Sequence, residues 1–356
     1  MEMKKLFCLL AAMMLLASAA FADEYLSIAD MTAPERWTAT YQSGKNTVTV
    51  DIQPTIPDVD ALPVLKVTPS YWEPQPKDGA AWTLQTERVA EGAFHLWTEN
   101  VETFYDPAVM GILTGPFDRD TKYISGSDLT VNQMVAKVEQ IFSEMENLVG
   151  YDTDHINSLN PQGAAGSPAI IMEFFQTLQD VPLWGHVKYS MDNAPDSDMS
   201  YAPIFILTMQ DDAHYELLGR TVKETTVLAE DIPLCDFDQV KATVEEQIKE
   251  KHIRAVYAID LGYALYNEPG VTFKPNGSFD WQKTAEFYAM PVWRVVCLYT
   301  SYPSKTLPDS AYADPVSSLY YETLYISAQT GKLLDPDYKG KGGADYEGFI
   351  SWDDVQ

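Results

Sequence analysis

Acidic pairs separated by one residue are the most frequent pattern in this chain that could do chemistry. They occur at Asp118/Asp120, Asp152/Asp154, Asp196/Asp198 and Asp335/Asp337. A calcium loop needs three spaced oxygen ligands, a glycine and a distal bidentate glutamate, and none of the four pairs completes that set. Because the chain has 52 acidic residues, such pairs are expected by chance, and we predict that they lie in surface loops.

The histidines do not form a recognisable metal site. There are five, at His95, His155, His186, His214 and His252. None stands next to another histidine or a cysteine at the spacing of zinc ligands. The sequence also contains no His-Glu-x-x-His, no phosphate-binding glycine loop and no dinucleotide-binding glycine motif. It therefore predicts neither a metal nor a cofactor.

No set of residues for nucleophilic or acid–base catalysis is complete. A serine hydrolase elbow needs Gly-x-Ser-x-Gly between a strand and a helix, and the Gly-Ser pairs of this chain lack the second glycine. Three glutamates have aromatic neighbours, as in a sugar-cleaving site: Glu73, Glu173 and Glu322. Aromatic residues make up 12% of the chain, so such neighbours are unavoidable. We predict no catalytic residues and a protein that is not an enzyme.

The first residues have the parts of a secretory signal peptide. Lys4 and Lys5 precede an apolar run over residues 6–19, and Ala20 and Ala22 are the small residues that signal peptidase recognises. The run is shorter than the ~20 residues that a transmembrane helix needs. We therefore predict cleavage after Ala22 and a secreted, extracytoplasmic protein with no membrane span once residues 1–22 are removed.

The acidic composition of the chain limits which molecules the protein can bind. The formal net charge is −28, and such a surface repels nucleic acid, whose affinity comes from neutralised phosphates, and anionic lipid. We predict that the protein binds neither; whether the acidic surface binds calcium is left open. Cys235 and Cys297 remain after processing. Their compartment permits a disulfide, but two buried free thiols are the favoured interpretation.

Periodicity predicts the elements. Residues 23–125 are rich in proline and tryptophan and poor in helical spacing. One β-hairpin is predicted there, with residues 42–46 as the loop between its two strands. A helix is predicted over 130–149, with Thr130 and Gln133 as a capping box and Gly150 as its C-terminal cap. A second helix begins after Asp236, with Gln239 as its capping partner.

This order predicts an α+β protein with an internal duplication. Helix followed by strands occurs twice, and each helix is apolar on one face only, so each needs one partner surface. We predict tandem units of one helix packed on an antiparallel β-sheet, preceded by a β-rich N-terminal region. The expected divisions are 1–22 (signal peptide), 23–125 (β-rich region), 126–234 and 235–336 (the two units) and 337–356 (polar tail).

Four segments within residues 130–334 carry a family resemblance. They are 174–185, 259–263, 290–295 and 328–334, the last ending a strand at Thr330-Gly331-Lys332. These segments resemble PepSY-like domains and the YycH/YycI-type extracytoplasmic regulators, although Asp180 stands where that family usually has glycine. The resemblance implies a non-catalytic module that binds or restrains another envelope or secreted protein.

The leading interpretation is therefore a secreted, non-catalytic binding or regulatory protein of the bacterial envelope, with its ligand unknown. A carbohydrate- or cell-wall-binding module is the alternative, because the chain has 8 tryptophans and 21 tyrosines. A hydrolase of unfamiliar type is the least favoured; a convergent set of carboxylates in a cleft would support it.

Overall fold

The computed structural model describes thirteen stretches of the chain. They are residues 26–31, 36–44, 46–70, 74–79, 84–88, 93–98, 118–122, 128–164, 167–186, 203–250, 252–267, 287–299 and 320–334. The predicted cleavage residues Ala20 and Ala22 and the predicted tail 337–356 lie outside them. Within these stretches, no helix is long and apolar enough to cross a membrane.

The described secondary structure is mostly strand. The strands are β1 (Trp37–Ser43), β2 (Asn46–Ile52), β3 (Val64–Ser70), β4 (Gln85–Arg88), β5 (Ala93–Trp97), β6 (Tyr151–Ala164), β7 (Ser167–Leu178), β8 (Val181–His186), β9 (Ile204–Met209), β10 (Tyr215–Ala229), β11 (Ile253–Asn267), β12 (Phe287–Tyr299), β13 (Tyr320–Ser327) and β14 (Leu333–Leu334). The helices are α1 (Val131–Ser143) and α2 (Phe237–Lys249).

One large sheet contains twelve of these strands. Ten follow the order β14-β13-β12-β11-β8-β7-β9-β10-β5-β4, while β3 pairs with both β10 and β12, and β6 pairs with β7. The pairing of β8 with β11 is parallel and the other strand pairings are antiparallel. Strands β1 and β2 form a separate two-stranded sheet.

The predicted tandem arrangement, with one helix on its own antiparallel sheet in each unit, is therefore wrong. Two long-range pairings overturn it. The parallel pair β8–β11 joins strands of the two predicted units, and β3 from the N-terminal region bridges β10 and β12. The chain is a β-rich mixed sheet with two helices among the described residues.

Local sequence signals predicted the hairpin and the first residue of each helix. β1 and β2 pair around Gly44, whose φ of 66° suits the turn. Helix α1 has the predicted capping box, in which Thr130 and Gln133 exchange hydrogen bonds. It ends at Ser143, however, and the predicted cap Gly150 instead lies against Thr177, where a side chain would collide. Asp236 caps α2 by accepting from the backbone of Asp238, so the predicted role of Gln239 is wrong.

The two faces of β11 have different surroundings. Ile259, Leu261 and Tyr263 belong to the largest hydrophobic cluster, which also holds the apolar face of α2 and the β1–β2 hairpin. Because strand residues alternate in direction, Asp260 and Ala264 point to the opposite face. There Ala264 packs in a small cluster with Phe175, Trp184, Val292 and Leu334.

Candidate functional site

Strands β11 and β12 each carry one charged residue inside an apolar stretch, and the two residues face each other. Asp260 and Arg294 are register partners in the antiparallel pair. Each is 4% exposed. Burial of one charge alone costs several kcal/mol, on the order of what holds a domain together, so opposite charges at facing positions are mutually required.

Arg294 packs against two aromatic rings that contact each other edge to face. The guanidinium carbon is 4.9 Å from the ring centroid of Phe175 and 4.9 Å from that of Trp184. Gly262 permits this packing, because a side chain there would collide with Trp184. Burial lowers the pKa of Arg294, while Asp260, Tyr325 and Asp152 oppose that shift; arginine nevertheless keeps its charge. Its buried Nε has no hydrogen-bond partner among the described residues.

A bulge in β6 brings a histidine to this pair. Asp152 faces Phe175 and Ile156 faces Phe174, so residues 153–155 are inserted between two neighbours of β7. The carboxylate of Asp152 stabilises the bulge, since its Oδ1 accepts hydrogen bonds from the backbone N–H of Asp154 at 2.8 Å and of His155 at 3.2 Å. Bulges of this kind redirect side chains out of the regular pleat, and here the redirected side chain is that of His155.

His155 lies between two buried carboxylates. Its Nδ1 is 2.6 Å from Oδ2 of Asp152, and its Nε2 is 3.8 Å from Oδ1 of Asp260. An ionised carboxylate only accepts hydrogen bonds, so Nδ1 carries a proton and Nε2 faces Asp260. The ring packs edge-on against Trp184, with centroids 5.0 Å apart.

The electrostatics of the pair favour its charged form. Burial lowers the pKa of His155, but the hydrogen bond and charge of Asp152, together with the charge of Asp260, outweigh burial and raise that pKa. Burial likewise raises the pKa of Asp152, yet its hydrogen bond to His155 and the two backbone N–H groups bring it below its usual value. Imidazolium and carboxylate stabilise each other.

Arg119 stabilises the outer side of the bulge through hydrogen bonds. Its Nη2 donates to the backbone oxygens of Thr153 at 2.9 Å and Asp154 at 3.2 Å, and to Oδ1 of Asp154 at 3.2 Å. The main-chain segment after β2 forms the adjoining wall. There the N–H of Thr55 donates to the oxygen of Ile259, and the oxygen of Thr55 accepts from Leu261.

These elements enclose an open cleft of about 400 Å³. Its lining residues come from the end of β2, the segment after it, the β6 bulge, β11 and β12: Asp51, Ile52, Gln53, Thr55, Arg119, Asp154, His155, Ile156, Tyr257, Ala258, Asp260, Arg294 and Val296. A carboxylate, an imidazole and a guanidinium thus line one concave surface, which can recognise a polar ligand through charge and hydrogen bonds.

The other residues singled out in the sequence lie elsewhere. Cys235 and Cys297 are buried in the largest hydrophobic cluster, where the structure holds them as thiols. Asp118 accepts hydrogen bonds within its own exposed turn. His214 contacts Asp211 in another exposed turn. Among the described residues, no group of three histidine, cysteine or acidic side chains could hold a metal ion.

Sequence reasoning missed the central residues of the cleft. It placed the pair Asp152/Asp154 in a surface loop, but both residues lie in strand β6. Asp154 is exposed there, whereas Asp152 is only 9% exposed. The signal that could have found the site was a single charged residue inside the apolar stretch of each of two strands. The charge is negative at Asp260 and positive at Arg294. His155 had no signal of its own, because the β6 bulge depends on register with β7.

Comparisons with known proteins provide no function. No family model and no curated protein matches the sequence. A similar solved structure is that of an uncharacterized protein from Eubacterium rectale, with 12% sequence identity and a TM-score of 0.48 over 85% of this chain and 94% of the other. The function therefore has to be inferred from the cleft.

Proposed function

We propose that this chain is an exported, non-catalytic binding protein of the bacterial envelope whose cleft holds a small polar ligand. One observation carries the proposal: a guanidinium and a carboxylate that are each 4% exposed line the same open cleft, and no hydrogen bond joins them. Nε of Arg294 lacks an acceptor among the described residues, and no hydrogen bond from them reaches the carboxylate of Asp260. Native proteins rarely leave such groups unpaired without a functional reason.

The dimensions suit a small molecule. A volume of about 400 Å³ is at the low end of ligand pockets, which span roughly 300–1,000 Å³. The polar groups also sit on rigid elements: Asp260 and Arg294 lie on paired strands, and His155 is fastened by Asp152 and the bulge. A preorganised site loses less conformational entropy on binding.

A blocking variant tests the proposal. Ala258→Trp fills the cleft without removing a charge, and Ala242→Trp places the same side chain on the exposed side of α2 as a control. Thermal unfolding would be followed with amino acids, monosaccharides and dicarboxylic acids at millimolar concentration. A ligand that binds the folded state raises Tm, so we expect at least one class to stabilise the natural protein and the control but not Ala258→Trp. No stabilisation by any class, or equal stabilisation of Ala258→Trp, would overturn the proposal.

A hydrolase is the second candidate, because His155 and Asp260 line the cleft together and Asp152 contacts His155. Conversion of a bound compound into product, detected by mass spectrometry of the same mixtures, would establish this second function. The carbohydrate alternative has less support, since the three tryptophans whose side chains are described, Trp37, Trp184 and Trp293, are all buried.

Export, a protein partner and the PepSY-like relationship stay predictions. The segment 1–22 supports export. The four motif segments support the relationship, and the relationship in turn implies the protein partner. N-terminal sequencing of the protein recovered from culture medium tests the first, with Asp23 expected as the first residue.

A further inference from the structure

We infer that the ligand of the cleft is a small zwitterion, such as a free amino acid, with its ammonium group at Asp260 and its carboxylate at Arg294 and Arg119. The inference rests on the proposed function and names the ligand class. It follows from the balance of charges around the cleft and from the groups whose hydrogen-bonding capacity is unused.

The cleft differs in charge from the rest of the chain. Overall the sequence has 52 acidic and 24 basic residues. Around the cleft, each basic group has an acidic neighbour: Asp152 with His155, Asp260 with Arg294, Asp154 with Arg119, and Asp51 with Arg36. With His155 protonated, the site is close to neutral while presenting both signs of charge.

The unused groups have opposite signs. Asp260 can accept hydrogen bonds, and the guanidinium of Arg294 lines the same cleft, although its Nε is buried and has no acceptor among the described residues. Arg119 makes its three hydrogen bonds through Nη2, which leaves Nη1 and Nε to donate to a ligand. A cation alone would match Asp260 but not the guanidinium groups that line the cleft, and an anion alone would do the reverse.

A ligand that carries both charges satisfies both groups at once. Hydrogen bonds between ionised partners are roughly twice as strong as neutral ones, so a neutral sugar gains less from these residues than an ammonium and a carboxylate do. Asp260 and Arg294 face each other across neighbouring strands, where facing Cβ atoms are about 4.5–5.5 Å apart. The two charged groups of an α-amino acid are close enough to meet such a pair.

The first test uses the natural protein alone. Calorimetric titration with the twenty common amino acids identifies the tightest binder, which is then compared with its α-amide and its N-acetyl derivative. The amide lacks the carboxylate charge and the N-acetyl compound lacks the ammonium charge. We expect each derivative to bind about tenfold more weakly or worse, the loss typical of one charged hydrogen bond. Undiminished binding of either derivative would overturn the inference.

Two variants assign the ends of the ligand. Asp260→Asn should weaken binding of the amino acid and its amide but not of the N-acetyl compound, and Arg119→Gln should do the opposite. Circular dichroism controls for folding, and the derivatives test the inference without any variant. If a monosaccharide or a dicarboxylic acid binds in the cleft while no amino acid does, the zwitterion is wrong and the proposed function stands. If none of these compounds binds, the proposed function itself fails.

Discussion

Removing one charge of the buried pair should cost far more stability than removing both. Asp260→Leu leaves Arg294 without its facing partner at a position that is 4% exposed. Arg294→Met leaves Asp260 without its facing guanidinium, beside the partly exposed His155. Breaking a buried pair in this way costs about 3–5 kcal/mol. The double variant removes both charges, keeps the pair of Asp152 with His155, and lets the methionine pack against the two rings that the guanidinium contacted.

The double variant should therefore unfold within about 1 kcal/mol of the natural protein, because well-packed apolar replacements of buried ion pairs are often neutral or stabilising. Independent charges would instead give a sum of about 6–10 kcal/mol. Urea titration at pH 7 of the four proteins measures the difference. The exposed pair of Arg36 with Asp51, whose side chains are 65% and 45% exposed, provides a control cycle in which the coupling should be far smaller than at the buried pair, because exposed ion pairs contribute little. Additive costs at Asp260 and Arg294 would refute the reasoning.

Three further outcomes are expected. The pKa of His155 in the folded protein should lie above about 6.5, and Asp152→Asn should lower that pKa, as measured by NMR titration. The charge of His155 then contributes stability at low pH that is lost as pH rises through the raised pKa. Asp152 contributes stability that is lost as pH falls through its lowered pKa. A His155 that titrates below 6.5 would contradict this account. Val244→Asp, which buries a charge under α2, should destabilise by about 3 kcal/mol or more, whereas Ala242→Asp on the exposed side should stay within about 0.5 kcal/mol in the same urea assay; equal effects would show that α2 does not pack as described. Both cysteines of the mature chain should be alkylated after denaturation without reductant, and an unalkylated disulfide species in mass spectrometry would show the thiol prediction to be wrong.

The elements with local signals could be predicted from the sequence. A capping box starts α1 at Thr130, and alternation around Gly44 specifies the β1–β2 hairpin. Both depend on residues within a few positions of each other. The sheet order depends on pairings between distant strands, and neither the parallel contact of β8 with β11 nor the double pairing of β3 has a local signature. The duplication of helix and strands therefore suggested separate sheets where the chain builds one.

The candidate site shows the same division. Charges inside apolar strands mark Asp260 and Arg294, and an antiparallel register is enough to bring them together. The contribution of Asp152 and His155 needs the position of the β6 bulge relative to β7, which is a tertiary property. Two carboxylates 108 positions apart in the printed sequence thus share one histidine.

The most direct test of the account is a crystal structure of the protein grown with the panel compound that raises its Tm most. We predict electron density for that compound at the base of the cleft, within hydrogen-bonding distance of Asp260 and Arg294. Density for the compound at another surface, with water alone between those two side chains, would contradict the claim that this cleft is the binding site.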